Sequence, residues 1–217
     1  MNTQAKTLEI DIVSDVVCPW CIVGYRQLAE ALEASGTPYE IRWHPFELNP
    51  AMPPEGQDME EHLVEKYGLT KAQSDENVAR LSDAGSSVGF EFRFGDTMRM
   101  HNTFNVHQLL HWADQQGKKH ELKQALFTAH FQAHKNLSDI AVLADIAAGI
   151  GLERETALAV LEDQRFAEAV REAEQFWQGQ GINSVPAVIF NQRHLVSGAQ
   201  GVENFKSILK QLAEMKE

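Results

Sequence analysis

The chain has 217 residues, 43% of them hydrophobic and 23% charged, enough for one substantial core or two linked ones and with no need of disorder. Nineteen basic against thirty-one acidic side chains give a formal charge of −12, which argues against a nucleic-acid partner held by a broad electrostatic footprint; solubility is explanation enough for it. No segment approaches the ~18 apolar residues of a membrane span, so no membrane partner is expected.

The first seven residues carry neither an apolar stretch nor a cleavage site, so they do not read as a secretory signal and the expected location is cytoplasmic. Residues 7–13 read as a strand built on Leu8, Ile10, Ile12 and Val13. Directly after it comes Cys18-Pro19-Trp20-Cys21, which holds the only two cysteines of the chain. Proline's fixed φ and missing donor suit the first position of a helix, so Cys18 falls at the N-terminal end, where unpaired backbone N–H groups and the helix dipole stabilise a thiolate. Cys18 is therefore the expected nucleophile. Cys21, one turn further in, is placed to attack a mixed disulfide on Cys18 and release the substrate. In a reducing cytoplasm lasting disulfides are rare, which favours a transient, catalytic one. The rival is half a zinc site, but a structural site normally takes four ligands and there is no second cysteine pair. Two inert core cysteines would have no reason to take this spacing at a strand-to-helix junction.

The helix over about 19–35 puts Tyr25, Leu28, Ala29 and Leu32 on one face and stops at Gly36. Tyr39, Ile41 and Trp43 then alternate with Glu40, Arg42 and His44, the period of a strand with one buried face. Pro45, Pro50, Pro53 and Pro54 break the chain. From about 57 to 180 the signals are helical throughout, over about 57–67, 70–88, 98–116, 118–134, 138–149, 153–163 and 166–179. Within that stretch Thr70 to Gln73 reads as a capping box, and Ile140, Leu143, Ala144 and Ala147 recur at helical spacing. Strand chemistry returns at Ala187-Val188-Ile189-Phe190, with Asn191-Gln192 turning into Arg193-His194-Leu195-Val196, and a helix over about 201–215 closes the chain.

His107 with His111, and His130 with His134, are spaced to share a helix face, but neither pair forms a metalloprotease motif, and they read as packing or surface histidines with no metal assigned. Trp43, Phe46, Phe90, Phe92, Phe94 and Phe104 fit either a substrate groove or the core.

The order strand, CxxC helix, strand, long helical insert, proline-preceded hairpin and helix resembles the DsbA family of the thioredoxin superfamily, and within it the FrnE-like branch. The residues that carry the resemblance are Asp15 to Cys21, Trp43 to Pro50, His101-Asn102-Thr103, Gly181 to Ala187, and Ser197-Gly198-Ala199. It implies an α/β thioredoxin-like fold with a large all-helical insertion: residues 1–55 and 181–217 form the discontinuous thioredoxin-like domain, and 56–180 the insertion. It also implies a cis peptide between Val185 and Pro186 beside the nucleophile. Proline lowers the cost of that bond, and the backbone of Val185 is left to pair with an extended substrate. A plain trans proline entering a strand is the simpler alternative. His101-Asn102-Thr103 is brought by the resemblance toward the dithiol, or else caps a helix.

Two departures bear on mechanism. Ile12 stands where thioredoxin-like proteins often bury an acid, and Asp11 and Asp15 flank it, each readable as a proton acceptor through water or as a solvated acid or turn cap; no general base is assigned. Pro19-Trp20 carries no cation, so the expected potential is more reducing than the ~−120 mV of DsbA. The expected function is thiol–disulfide exchange with protein or small thiol substrates, needing no cofactor beyond the two sulfurs, with glutathione as an optional co-substrate. Two alternatives stand beside it. One is a glutathione-dependent enzyme of the 2-hydroxychromene-2-carboxylate isomerase or kappa-class glutathione transferase type, whose members typically have serine where Cys18 stands. The other is a non-catalytic peptide-binding chaperone. Pro19, Trp20, Val185 and Pro186 are the expected substrate contacts.

Overall fold

In a computed structural model, described over residues 7–95 and 98–215, the chain begins with strand β1 (Leu8–Ser14), helix α1 (Pro19–Ser35) and strand β2 (Tyr39–Pro45). Residues 1–6, on which the leader reading mostly rests, lie outside the described residues. A short strand β3 (Gln57–Asp58) leads into α2 (Met59–Tyr67) and α3 (Lys71–Ser87), and β4 (Arg99–Met100) into α4 (Phe104–Gln115). Then come α5 (Lys119–Phe131), α6 (Ile140–Gly149), α7 (Arg154–Asp163), α8 (Ala167–Gly179), strands β5 (Ala187–Phe190) and β6 (His194–Ser197), and α9 (Val202–Glu214).

The main sheet has the order β2-β1-β5-β6. Strand β1 runs parallel to β2, with Ile10 opposite Ile41 and Ile12 opposite Trp43, and antiparallel to β5, with Ile12 opposite Val188. Because a strand alternates its faces, Ile10, Ile12, Val188 and Phe190 point one way, onto Leu28 and Leu32 of α1 and Phe205 and Leu209 of α9. Val13, Ala187 and Ile189 point the other way, onto Ile182 and the half-buried Trp177. The largest core starts at Val16, Val17, Cys21 and Ile22 and continues through Leu109, Leu126, Phe127, Leu143 and Leu161. The dithiol loop and the helical insertion therefore share one packed interior, and the insertion helps fix the site.

Local chemistry sets the element ends. Gly36 is left-handed at φ 64° and its N–H reaches the carbonyls of Leu32 and Glu33, closing α1. Thr70 and Gln73 form the expected capping box on α3. Asn191 and Gln192, at φ 49° and 57°, turn β5 into β6.

Three expectations are corrected. The stretch 57–180 is not all helical: Gln57 pairs with Met100 in a two-stranded ribbon, and Asp58 caps the N–H groups of Glu60 and Glu61, so α2 starts at Met59. The helix expected from 98 starts at Phe104, whose N–H is taken by the Asn102 side chain. Tyr39, expected on a buried face, is 46% exposed because β2 is an edge strand and Tyr39 opens it.

Candidate functional site

Cys18 is the N-cap residue of α1, in extended conformation at φ −90° and ψ 112°, with Pro19 in the first turn. Its Sγ lies 3.7 Å from the carbonyl oxygen of Val185. The Val185–Pro186 peptide is cis. Pro186 is buried against α1, so close that a Cβ on Gly24 would stand 3.2 Å from its Cγ, and its carbonyl accepts the Gly198 N–H at 2.8 Å. Glycine is thus the residue that lets the proline loop seat on the helix one turn past Cys21. Both cysteines are free thiols. Cys18 is 4% exposed and Cys21 fully buried. Burial first, and then the hydrogen bond with Cys18 and its charge, push the Cys21 thiol well up.

Neither aspartate flanking Ile12 is solvated. Asp11 faces the side chains of Arg42 and His44 at 3.1 and 2.8 Å. Asp15 is completely buried under the dithiol loop, where it accepts the Leu48 N–H at 2.8 Å and the Thr103 hydroxyl at 3.1 Å. Nε2 of His107 lies 3.5 Å from its other oxygen and closer, at 3.0 Å, to the carbonyl of Phe46. Burial alone would raise this carboxyl; His107, the Leu48 N–H and Lys123 outweigh it and hold Asp15 below the usual carboxylate range. Lys123 of α5 is 1% exposed, with Nζ 3.3 Å from the Ser14 carbonyl and over the rings of Trp43 and Phe127. Burial lowers it to about 8.

A cleft of about 670 Å³ opens over Cys18. Cys18, Pro19, Trp20 and Val185 line it, as do Phe46 and Phe94, while Cys21 and Pro186 lie behind its wall. Helices α2 and α3 roof it with Met59, Lys66, Tyr67 and Arg80, the last over the Trp20 ring at 5.5 Å. The carboxylate at its rim, Glu47, is bound by Arg171, which also reaches Glu174 at 2.8 Å. Burial and the neighbouring Glu174 raise Glu47 despite that partner. The volume suits one small molecule or a few side chains.

Of the other aromatics, Phe90 and Phe92 pack with Phe131 in the core, Trp43 is buried beside Tyr25, and Phe104 lies under the Arg171 guanidinium. His107 and His130 are buried, and His111 packs on Phe166. Among the described residues no group of three or more His, Cys, Asp or Glu is placed to hold a metal ion. Thr103, in the N-cap position of α4, spends its hydroxyl on Asp15 and not on the helix. Lys123, Lys66 and Arg80 carry no sequence signal that separates them from surface cations.

A family model described as a DSBA-like thioredoxin domain matches residues 9–210. The uncharacterized protein YwbO of Bacillus subtilis is 27% identical over 204 residues, covering 94% of this chain and 96% of its own. A probable DsbA oxidoreductase from Streptomyces coelicolor superposes with a TM-score of 0.90 at 30% identity, over 97% of this chain and 92% of that one. The cytosolic disulfide reductase DsbM from Pseudomonas aeruginosa shares the fold at a TM-score of 0.64 and 15% identity, over 96% of this chain and all of its own. The match is to the family as a whole and does not distinguish the FrnE-like branch. With its sheet order, its CxxC helix and a cis-proline loop against the outer sulfur, this chain, an α/β thioredoxin-like fold with a helical insertion, belongs to the DsbA-like thioredoxin family.

Proposed function

We propose that the protein is a thiol–disulfide oxidoreductase in which Cys18 attacks and Cys21 resolves. The observation that carries this is the asymmetry of the pair: Cys18 lines the cleft at the start of α1, while Cys21 is fully buried and its thiol is pushed up. Val185, beside the outer sulfur, offers main-chain pairing to a substrate strand, and Trp20 and Pro19 form the wall the substrate meets. Cys18 forms the mixed disulfide as the substrate's S–S bond breaks; Cys21 then displaces the substrate thiol and the pair is left oxidised, to be reduced by a thiol donor. The substrate is a disulfide-bearing protein or a small disulfide, and glutathione is a fitting donor. DsbM has been solved with GSH, and the cleft here sets Lys66 and Arg80 around an apolar wall, a match for an anionic thiol. Compartment follows chemistry: Pro19-Trp20 puts no cation between the sulfurs, which suits a reductase working in the cytoplasm. Among the described residues no helix is long and apolar enough to cross a membrane.

The test is reduction of insulin by the purified protein with a thiol donor. Cys18→Ser abolishes it, and Cys21→Ala accumulates mixed disulfides on Cys18, read by mass spectrometry of protein recovered from cell extract. Full activity in Cys18→Ser overturns the reading. Glutathione alone on Cys18 in the trapped variant shifts the assignment toward the glutathione-dependent class.

A further inference from the structure

Resolution needs the Cys21 proton to leave a site closed to water. Strand β1 supplies no acceptor at Ile12, which is an aliphatic core residue. Asp11 is committed to Arg42 and His44. Asp15 is buried in the right place but is the wrong kind of group. It is held as a carboxylate by Leu48, Thr103, His107 and Lys123, and transfer from a thiol pushed upward to a carboxyl held downward is steeply uphill.

Lys123 is different. It comes from α5, over a hundred residues along the chain from the dithiol loop, and its ammonium end is not turned out to solvent as a lysine's usually is. Among the described residues Nζ has one hydrogen bond, to the carbonyl of Ser14 at the end of β1, and it lies over the rings of Trp43 and Phe127, while the Ser14 hydroxyl is buried without a partner. The charged groups that act on it electrostatically are Cys21, Asp15 and Cys18 from the dithiol loop and α1, and Lys119 from its own helix. A buried lysine is expensive to keep charged, so its proton is held loosely, and burial brings it to about 8, between carboxylates and ordinary amines.

We infer that Lys123 is the base that takes the proton from Cys21 when the inner thiol resolves a mixed disulfide on Cys18, and gives it back when the pair is reduced. This rests on the redox reading above. In the step, the Cys21 S–H bond breaks as a Lys123 N–H bond forms. The freed electron pair makes the Cys18–Cys21 bond as the Cys18–substrate bond breaks, and the departing thiolate takes its proton from solvent. The pair loses two electrons and the substrate disulfide gains them. Lys123 keeps its proton until a donor thiol reopens the disulfide. The charge of Asp15 favours the ammonium form.

The test uses the full chain and an aromatic disulfide whose thiolate is coloured, which reports twice: once when Cys18 attacks, once when Cys21 resolves. In stopped flow, Lys123→Met slows the second release about 100-fold at neutral pH, the scale of a lost general base, and slows the first far less. The wild-type second release rises with pH to an inflection near 8; in Lys123→Met that inflection is gone and the rate climbs on into the alkaline range. Lys123→Arg, which keeps the charge but cannot accept the proton, does not rescue. A second release in Lys123→Met within threefold of wild type, or full rescue by Lys123→Arg, overturns the inference. Methionine fits an apolar shell, so the variant is expected to fold; should it not, a wild-type second release without an inflection between pH 7 and 9 overturns the inference by itself. Absence of the first release in wild type would strike the redox reading instead.

Discussion

The thiol of Cys18 and the carbonyl of Val185 face each other at 3.7 Å, across 167 residues of sequence. Nothing local to the CxxC helix brings them together; the sheet does. Strand β5 is locked beside β1 with Val13 opposite Ala187, so the loop before Ala187 must arrive beside the residue range that follows Val13. The cis-proline loop is thus placed by strand register and then seated against Gly24.

That seating gives the first prediction. A Cβ at position 24 would stand 3.2 Å from Pro186 Cγ and 3.4 Å from the Ala199 Cα, tighter than ordinary packing. Gly24→Ala offsets its crowding with a helix-propensity gain of up to about 1 kcal/mol, so its denaturation midpoint stays near wild type. Gly24→Val adds two methyl groups and a branched Cβ in a helix; it is expected to lose about 1–3 kcal/mol and to push Val185 off Cys18. Urea denaturation and the rate of Cys18 alkylation check both. An unchanged midpoint and an unchanged alkylation rate in Gly24→Val would mean the loop does not depend on this contact.

Much of the frame was legible because it rests on local rules. Pro19 after Cys18, Gly36 after Ser35, Thr70 with Gln73, and Asn191-Gln192 each act within a few residues, and each sits where its chemistry suggests. The ribbon of β3 and β4 escaped because two strands of two residues have no period to detect, and Met100 becomes a strand residue only by meeting Gln57. The chemistry under the dithiol escaped for a related reason. Lys123 in Lys-His-Glu-Leu-Lys looks like one of several surface cations on an ordinary helix, and only its tertiary position shows it buried. Asp15 reads as a solvated acid because Thr103 and the Leu48 N–H, which close over it, come from distant parts of the chain.

Arg171 supports the second prediction. It bridges Glu47 and Glu174, whose side chains are 2% and 7% exposed, while its own is 44% exposed. Removing the bridge leaves two neighbouring carboxylates with little access to water. Arg171→Leu is expected to cost about 2 kcal/mol, less than the ~3–5 kcal/mol of a fully buried break because water reaches the cation. Adding Glu47→Gln to Arg171→Leu recovers most of the loss by removing the repulsion with Glu174. Chemical denaturation of both variants decides it, and a double variant no more stable than Arg171→Leu would refute the account.

Acid sensitivity is the third. Buried His130 is lowered to about 3, by burial first and then by the neighbouring His101, which burial itself lowers to about 4. In the unfolded chain both titrate near 6.5. Below that value the unfolded state therefore binds protons that the folded state refuses, so stability is full above about pH 6.5 and falls as pH drops toward the folded values. For His130 alone the loss between pH 7 and pH 5 is about 2 kcal/mol by this linkage. Glu47 works in the opposite sense, since its raised carboxyl binds a proton earlier in the folded state, but only as pH approaches the carboxylate range. Calorimetric melts at pH 7, 6 and 5 should show a falling transition temperature, and His130→Leu should flatten the fall by one histidine's share. Equal slopes for the two proteins would show that His130 accepts its proton within the fold, and would remove the packing of His101 and His130 as the source of the acid limit.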